Sequence, residues 1–391
     1  MKKTLAALAV LGAFAGGAMA ANVTLYGIVD EGLVYTHLDD DINDSTDNFG
    51  LQSGIQSGSR WGIKGVEELG NGMNVGFTLE SGFGADDGVS GQGDRLFGRE
   101  ARLFVNGAWG ELAAGRMGSP MSGNGTYGLY GMTSAFGTSF GDYVAQAGST
   151  FTGGDRQDNA LVYKTPTFAG FTGYVMYSFK SDSKAAGDEG HSDTDRYAAL
   201  AFTYANGPFE ALLGADWRDY AANGLSGTDF RDYDNDDGYS IILGGNYDFG
   251  PAKLFLAAQY FDEVKAGSFT SMSNNNAAWR ELVDDSDAKF GTDAKLNGWS
   301  ANVSVSAPLA GGTFLAGIGY VDAESADSTE EDYKSFDFTR ILGSVGYAYP
   351  FSKRTNMYVA ASYGQDKIDP DEGTSYEPSY GVFTVGLRHK F

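Results

Sequence analysis

The sequence predicts an all-β protein, a sixteen-stranded antiparallel transmembrane β-barrel. Three observations predict it: apolar and polar residues alternate with period two along many segments, the connections alternate between short and long, and the acidic residues gather in the long connections. Period two places successive side chains on opposite faces of a strand, so each segment has one greasy face and one wet face.

The first twenty residues stand apart from this pattern. Lys2 and Lys3 form a positive start, Leu5 to Phe14 an apolar stretch, and Ala18-Met19-Ala20 a small-residue cleavage motif. That is the layout of a secretory signal peptide, and it is too short for a bilayer-spanning helix. Residues 1–20 are therefore expected to be removed and residues 21–391 to form the barrel. No later segment approaches the roughly 20 apolar residues that a membrane helix needs.

Composition narrows the class further. There are 57 Gly, 23 Tyr and 26 Phe, and with no helical period this enrichment points to β architecture. The absence of Cys decides nothing for a domain of this size. The formal charge is −24, and about −26 without the two leader lysines, which argues against nucleic-acid binding. Abundant aromatics argue against disorder, so the acid must have a specific place.

The C-terminal segment shows the alternation most clearly. Phe383, Val385, Leu387, His389 and Phe391 share one face, and Val382, Thr384, Gly386, Arg388 and Lys390 share the other. The pattern recurs at Asn22–His37, at Gly238–Phe249 and at Trp299–Ala307, where Trp299, Ala301, Val303 and Val305 alternate with Ser300, Asn302, Ser304 and Ser306. Sixteen such segments are expected, at roughly 22–36, 58–69, 72–84, 95–108, 110–117, 156–165, 169–181, 195–206, 208–219, 238–250, 252–263, 296–307, 312–323, 335–349, 355–366 and 380–391.

Tight turns rich in Gly, Asn and Pro join alternate pairs, as at Leu69-Gly70-Asn71-Gly72, Asn206-Gly207-Pro208 and Leu309-Ala310-Gly311-Gly312. Long connections fall near 37–57, 118–155, 182–194, 220–237, 264–295, 324–334 and 367–379. An even strand number with short turns at one rim and long loops at the other is the plan of bacterial outer-membrane barrels. The long loops carry the acid, for example Asp39, Asp40, Asp41, Asp44 and Asp47, then Asp229 to Asp237, then Glu324 to Asp332. The greasy faces are almost free of charge. A Lys or Arg there would cost about 2–4 kcal/mol at the bilayer midplane.

About eight strands already enclose a core that side chains can fill. Sixteen enclose a wide lumen that must hold water, so the wet faces belong inside and the greasy ones meet lipid. Tyr35, Trp61, Tyr177, Trp217, Tyr247, Tyr349 and Phe391, near strand ends, suit two interfacial aromatic girdles.

Three stretches resemble the trimeric general porins of Gram-negative outer membranes, in the proteobacterial branch with a Gly-Leu-Arg-His-Lys-Phe tail. They are Asn22–Gly27, Gly58–Gly72 and Gly386–Phe391, supported by Phe97–Arg102, Gly115-Arg116 and Arg156–Tyr163. The resemblance implies a homotrimer in outer-membrane lipid and lipopolysaccharide. It also implies export through periplasmic chaperones and barrel-assembly machinery that recognise the terminal Phe391, and a third extracellular loop, Met117–Asp155, folded into the barrel. That loop's composition supports infolding independently. It is rich in Gly, Ser and aromatics (Tyr127, Tyr130, Phe136, Phe140, Tyr143, Phe151), and Asp142 and Asp155 are its only acids.

Alternation sends Arg60 and Lys64, then Arg102, then Arg156 and Asp158 to the wet faces. The resemblance places a basic wall at Arg60, Arg102 and Arg156. It sets a loop acid, best matched by Asp142, across from that wall, and Glu80 lies where it would orient the arginines. Such an arrangement makes a transverse field across an aqueous slot, which favours polar solutes.

The expected function is passive diffusion of small hydrophilic solutes and ions through a water-filled channel, with no cofactor and no metal. Two readings compete. A substrate-selective channel would need an inner aromatic track, and Tyr26, Phe104, Phe255 and Phe261 are scattered. A surface adhesin or receptor would act through the acidic loops. Catalysis is not expected, because the three histidines, His37, His191 and His389, are dispersed and no nucleophile grouping stands out. Asp232–Gly238 resembles the start of a calcium loop, but its glycine is one place late and Leu243 stands where a glutamate belongs.

Overall fold

A computed structural model describes residues 23–137, 140, 147–185, 187–221, 237–265, 295–326, 335–371 and 373–391. The signal-peptide segment 1–20, Asp142, most of the calcium-like stretch and the acids Asp327 to Asp332 lie outside the described residues.

The strands are β1 (Thr24–Asp39), β2 (Thr46–Ser53), β3 (Arg60–Gly70), β4 (Met73–Gly82), β5 (Glu100–Gly107), β6 (Gly110–Gly118), β7 (Arg156–Lys164), β8 (Phe171–Ser178), β9 (Arg196–Asn206), β10 (Phe209–Asp219), β11 (Gly238–Asp248), β12 (Lys253–Lys265), β13 (Lys295–Leu309), β14 (Gly312–Ser325), β15 (Phe336–Pro350), β16 (Thr355–Pro370) and β17 (Ser379–Lys390). From β3 onward each pairs antiparallel with the next, and β17 returns to β1 in register from Ile28↔Lys390 to Asp39↔Ser379. Phe391 completes the seam, exchanging backbone bonds of 3.0 and 3.1 Å with Gly27. Closure leaves no strand edge at the seam for hydrocarbon to strand without partners.

Seventeen segments make sixteen staves, because β2 and β3 share one. β3 pairs with the first half of β1, through Thr24↔Lys64 to Ile28↔Arg60, and β2 with the second half, through Glu31↔Ser53 to Leu38↔Thr46. The span 37–57, expected as a long connection, contains the strand Thr46–Ser53. Its alternation of Phe49 and Leu51 with Asn48, Gly50 and Gln52 is genuine but short, sits among aspartates, and is cut off by the glycine-rich 54–59. That interruption folds inward around Asp30. The Asp30 carboxylate accepts from the Ser57 N–H at 2.6 Å and the Tyr358 hydroxyl at 2.6 Å, and its carbonyl accepts from the Gly54 N–H at 2.8 Å.

The faces divide as the alternation requires. Leu25, Leu103, Leu213, Leu243, Val303, Ile341 and Leu387 are exposed on the outside, while Gln259, Ser300, Asn302, Ser304, Arg340, Ser344 and Asp366 are buried inside. Aromatics mark the rims. At the short-turn end Trp109 stacks on Tyr163 and Tyr247 lies against Phe249, and towards the other end Tyr177 meets Phe179 and Trp299 meets Tyr320. The turn between β13 and β14 is the two-residue Ala310-Gly311, both left-handed at φ 46° and 83°, the geometry whose twist matches the flanking strands.

The described residues between Ser119 and Asp155 enter the lumen. Thr152 donates its N–H to Gln259 Oε1 at 2.8 Å and accepts from Gln259 Nε2 at 2.6 Å. The Ala135 N–H reaches Ser304 Oγ at 2.9 Å, and Asn246 Nδ2 reaches the Met132 carbonyl at 3.0 Å. Met121, Tyr130 and Phe151 pack with Ala201, Leu212, Ile242 and Ala257 of the wall, while Phe136 and Phe140 pack with Tyr358, Ala360 and Val382. Glycine makes the close approaches possible: Met121 Sδ occupies the place of a Cβ at Gly214, and the Tyr197 ring does so at Gly154. The described part of the loop therefore rests on β9–β13 and on β16–β17, and an open space lies beside β3–β7.

Candidate functional site

That space is a cavity of about 960 Å³, lined by residues of β1, β3, β4, β5 and β7, the 54–59 bulge and the inserted loop. Period two sends every second residue of these strands into it. Arg60 and Lys64 enter from β3, Thr78 and Glu80 from β4, Glu100 and Arg102 from β5, and Arg156 from the start of β7. Five of the six expected pore residues, Arg60, Lys64, Glu80, Arg102 and Arg156, thus line one cavity; Asp142 lies outside the described residues.

Glu80 is the organising carboxylate. Its Oε1 lies 2.8 Å from Arg99 Nε and 3.7 Å from Arg60 Nη1, and its Oε2 accepts from the Tyr26 hydroxyl at 3.0 Å. Lys64 stands over the Tyr26 ring, 5.2 Å from its centre, so the aromatic face takes part of its charge. Arg102 is held by Glu100 at 2.7 Å and by Glu111 at 3.2 Å, and lies over the Phe104 ring at 4.4 Å. Tyr127 of the inserted loop donates to Glu111 at 2.5 Å and accepts from Arg102 at 2.9 Å. Burial and the neighbouring Glu111 hold this phenol well above its ordinary pKa, so it stays a neutral donor. Arg156 reaches Asn124 Oδ1 at 2.7 Å and the Arg99 carbonyl at 3.0 Å, with Asp155 at 3.7 Å.

Several further residues line the cavity beyond those expected from the sequence. Arg99 and Glu100 belong to Phe97–Arg102, quoted only as a family signature, and Asp86 and Asp87 sit in the loop before it. Arg99 departs from the alternation because it precedes β5, where no strand period applies. Among the described residues the lining holds five cations (Arg60, Lys64, Arg99, Arg102, Arg156) and five carboxylates (Glu80, Asp86, Asp87, Glu100, Asp155). Asp158 faces inward but is occupied by Arg116 at 2.5 Å and by Ser183 at 2.6 Å.

A closed barrel with a greasy outside, a polar inside and a charged aqueous slot narrowed by an inserted loop defines a class: the outer-membrane channel. Comparison with known proteins agrees. A family model described as Gram-negative porin matches residues 6–369. The chain is 33% identical over 414 residues to an outer membrane porin protein of Bordetella pertussis, covering all of both chains. It is 32% identical over 410 residues to outer membrane porin protein 32 of Delftia acidovorans, again covering all of both. An anion-selective porin from Comamonas acidovorans has a similar fold, with a TM-score of 0.66 at 24% identity, over 95% of this chain and 100% of that one. The chain belongs to the Gram-negative porin family, whose members are outer-membrane channels.

Proposed function

We propose that the protein is a general diffusion porin, passing small hydrophilic solutes and ions without selecting a substrate, and that it works as a homotrimer. The observation that carries this reading is the cavity itself: among the described residues, five cations and five carboxylates lie around an aqueous slot, with no continuous aromatic track. Charges held so close in opposite signs give a strong local field across the slot, and the described lining carries a small net charge. The field orients dipolar solutes and opposes apolar ones. The solved relative from Comamonas acidovorans is described as anion-selective. The balanced lining here supports a weaker ion preference.

Arg60, Lys64, Arg102 and Arg156 act as the basic side of the slot, and Glu80 orients Arg60 together with Arg99. Phe391, bonded to Gly27 at the seam, is the end that assembly machinery would read. The test pairs planar-bilayer conductance with liposome swelling in sugars of graded size. Large steady steps, and swelling rates that fall smoothly with solute size, are expected. A steep preference for one sugar over others of equal size would refute general diffusion, and an absence of conductance would favour an adhesin.

A further inference from the structure

The inner wall carries a further group of charges at the short-turn end, adjoining the slot through Ser57 and Gln56. A cavity of about 220 Å³ is lined by Thr313, Ala348, Pro350, Thr355 and Asn356 together with Lys353, Arg354, Arg388 and Lys390, and no carboxylate is among its lining residues. Among the described residues, none of these four cations has a carboxylate within salt-bridge distance. Several other wall cations are matched by carboxylates, Lys253 with Glu210 at 3.1 Å, Arg218 with Asp216 at 3.1 Å and Arg340 with Asp366 at 2.6 Å, while, among the described residues, Lys64 and Lys164 each stand singly over a tyrosine ring. Asp30, which lies towards Arg388, is already engaged by Tyr358 and Ser57.

The group is built, not incidental. Arg388 is held in place, donating to Asn356 Oδ1 at 3.0 Å and to Ser57 Oγ at 2.8 Å. Ser352 Oγ accepts from the Arg354 and Thr355 N–H groups at 3.1 Å each, fixing the turn that presents Lys353 and Arg354. The Lys390 N–H donates to the Arg354 carbonyl at 2.8 Å, which sets the tail strand against the turn. Four like charges brought together repel one another unless an anion joins them. Two guanidinium forks and two ammonium groups suit an anion with several oxygens and more than one charge.

We propose that this pocket at the periplasmic mouth is a binding site for a small divalent oxyanion of the phosphate type, either inorganic phosphate or the phosphate group of a small phosphomonoester. The site would hold such solutes on the wall at the mouth, before or after the slot. The proposal deepens the channel reading in that the site borders the permeation path, yet binding itself does not require current.

The test therefore begins with binding. Purified protein in detergent is titrated with inorganic phosphate, or in a second arm with a phosphomonoester, at mildly alkaline pH, and the phosphorus NMR linewidth is followed. The parent should broaden the phosphate line. The double variant Lys353→Gln/Arg354→Gln, on an exposed turn outside the strands, should bind about tenfold more weakly, the loss expected for two partly exposed charge contacts. Lys253→Gln, at another rim position, should behave as the parent. Broadening by the ester but not by inorganic phosphate would identify the ester as the occupant, and the reverse would identify the free ion. Equal binding by parent and double variant overturns the proposal, as does equal weakening in Lys253→Gln. In bilayers, phosphate added from the periplasmic side should reduce chloride current at a lower concentration in the parent than in the double variant. Binding without any current would uphold the site and refute the channel reading.

Discussion

Gln259 is the most informative place to loosen the inserted loop. Its side chain is 2% exposed and its amide makes a two-way bond with Thr152: the carbonyl oxygen accepts at 2.8 Å and the nitrogen donates at 2.6 Å. Gln259→Leu keeps the bulk and removes both. The Thr152 carbonyl would keep the Tyr130 hydroxyl at 2.7 Å, but its N–H would have no partner. An orphaned buried donor costs about 1–3 kcal/mol and one lost bond about 1 kcal/mol, so the anchored state should weaken by about 2–4 kcal/mol. At about 1.4 kcal/mol per decade, the detached loop should become roughly 30- to 700-fold more populated. Single-channel recording reads this directly, as added current noise and brief changes of conductance level. Heat-dependent gel mobility should confirm that the barrel is intact. An intact Gln259→Leu barrel with parental noise and conductance would show that the loop does not depend on this anchor, and the account of how the slot is shaped would fail.

Other outcomes follow from the same geometry. Arg340 and Asp366 form a buried bidentate pair at 2.6 and 2.7 Å, and Arg340 also donates to the Ser149 carbonyl. Arg340→Leu leaves the carboxylate alone and should cost about 3–5 kcal/mol, seen as a lower unfolding midpoint in detergent. Gly27→Val puts a side chain into the Phe391 ring and the Arg60 carbonyl, so folded barrel in membranes should fall sharply, whereas Gly50→Val, with open space around it, should not change the yield. Arg60→Gln with Arg99→Gln leaves Glu80 in excess, and the zero-current potential in a salt gradient should move towards cation preference. Ala310→Gly relieves a left-handed alanine at φ 46° and should raise stability by about 1 kcal/mol, measured by denaturant titration.

Most of the barrel is legible in the sequence because its cause is local. A strand between lipid and water must alternate, and Trp299–Ala307 or Gly381–Phe391 does so without interruption. The turn at Ala310-Gly311 is legible for the same reason. The stave shared by β2 and β3 was not, because what makes Thr46–Ser53 a strand is its partner β1 across the sheet, and no short window contains that partner. The same division holds in the site. Arg60, Lys64, Glu80, Arg102 and Arg156 are set inward by strand parity, whereas Arg99, Asp86 and Asp87 enter from a loop without period. Infolding of the third loop was foreshadowed by its glycines and aromatics. Its anchors, Gln259, Ser304, Asn246 and Asp216, lie on distant strands and only the closed barrel brings them together.

The central claim is the orientation of the faces, and the absence of cysteine allows it to be read one side chain at a time. Single cysteines placed at Leu25, Val303, Leu387 and Lys64 of the membrane-embedded protein would be exposed to a charged, water-soluble thiol reagent and, separately, to a lipid-soluble one. Lys64→Cys should react with the charged reagent, and the other three only with the lipid-soluble one. Rapid labelling of Val303→Cys and Leu387→Cys by the charged reagent, with Lys64→Cys protected, would contradict the account.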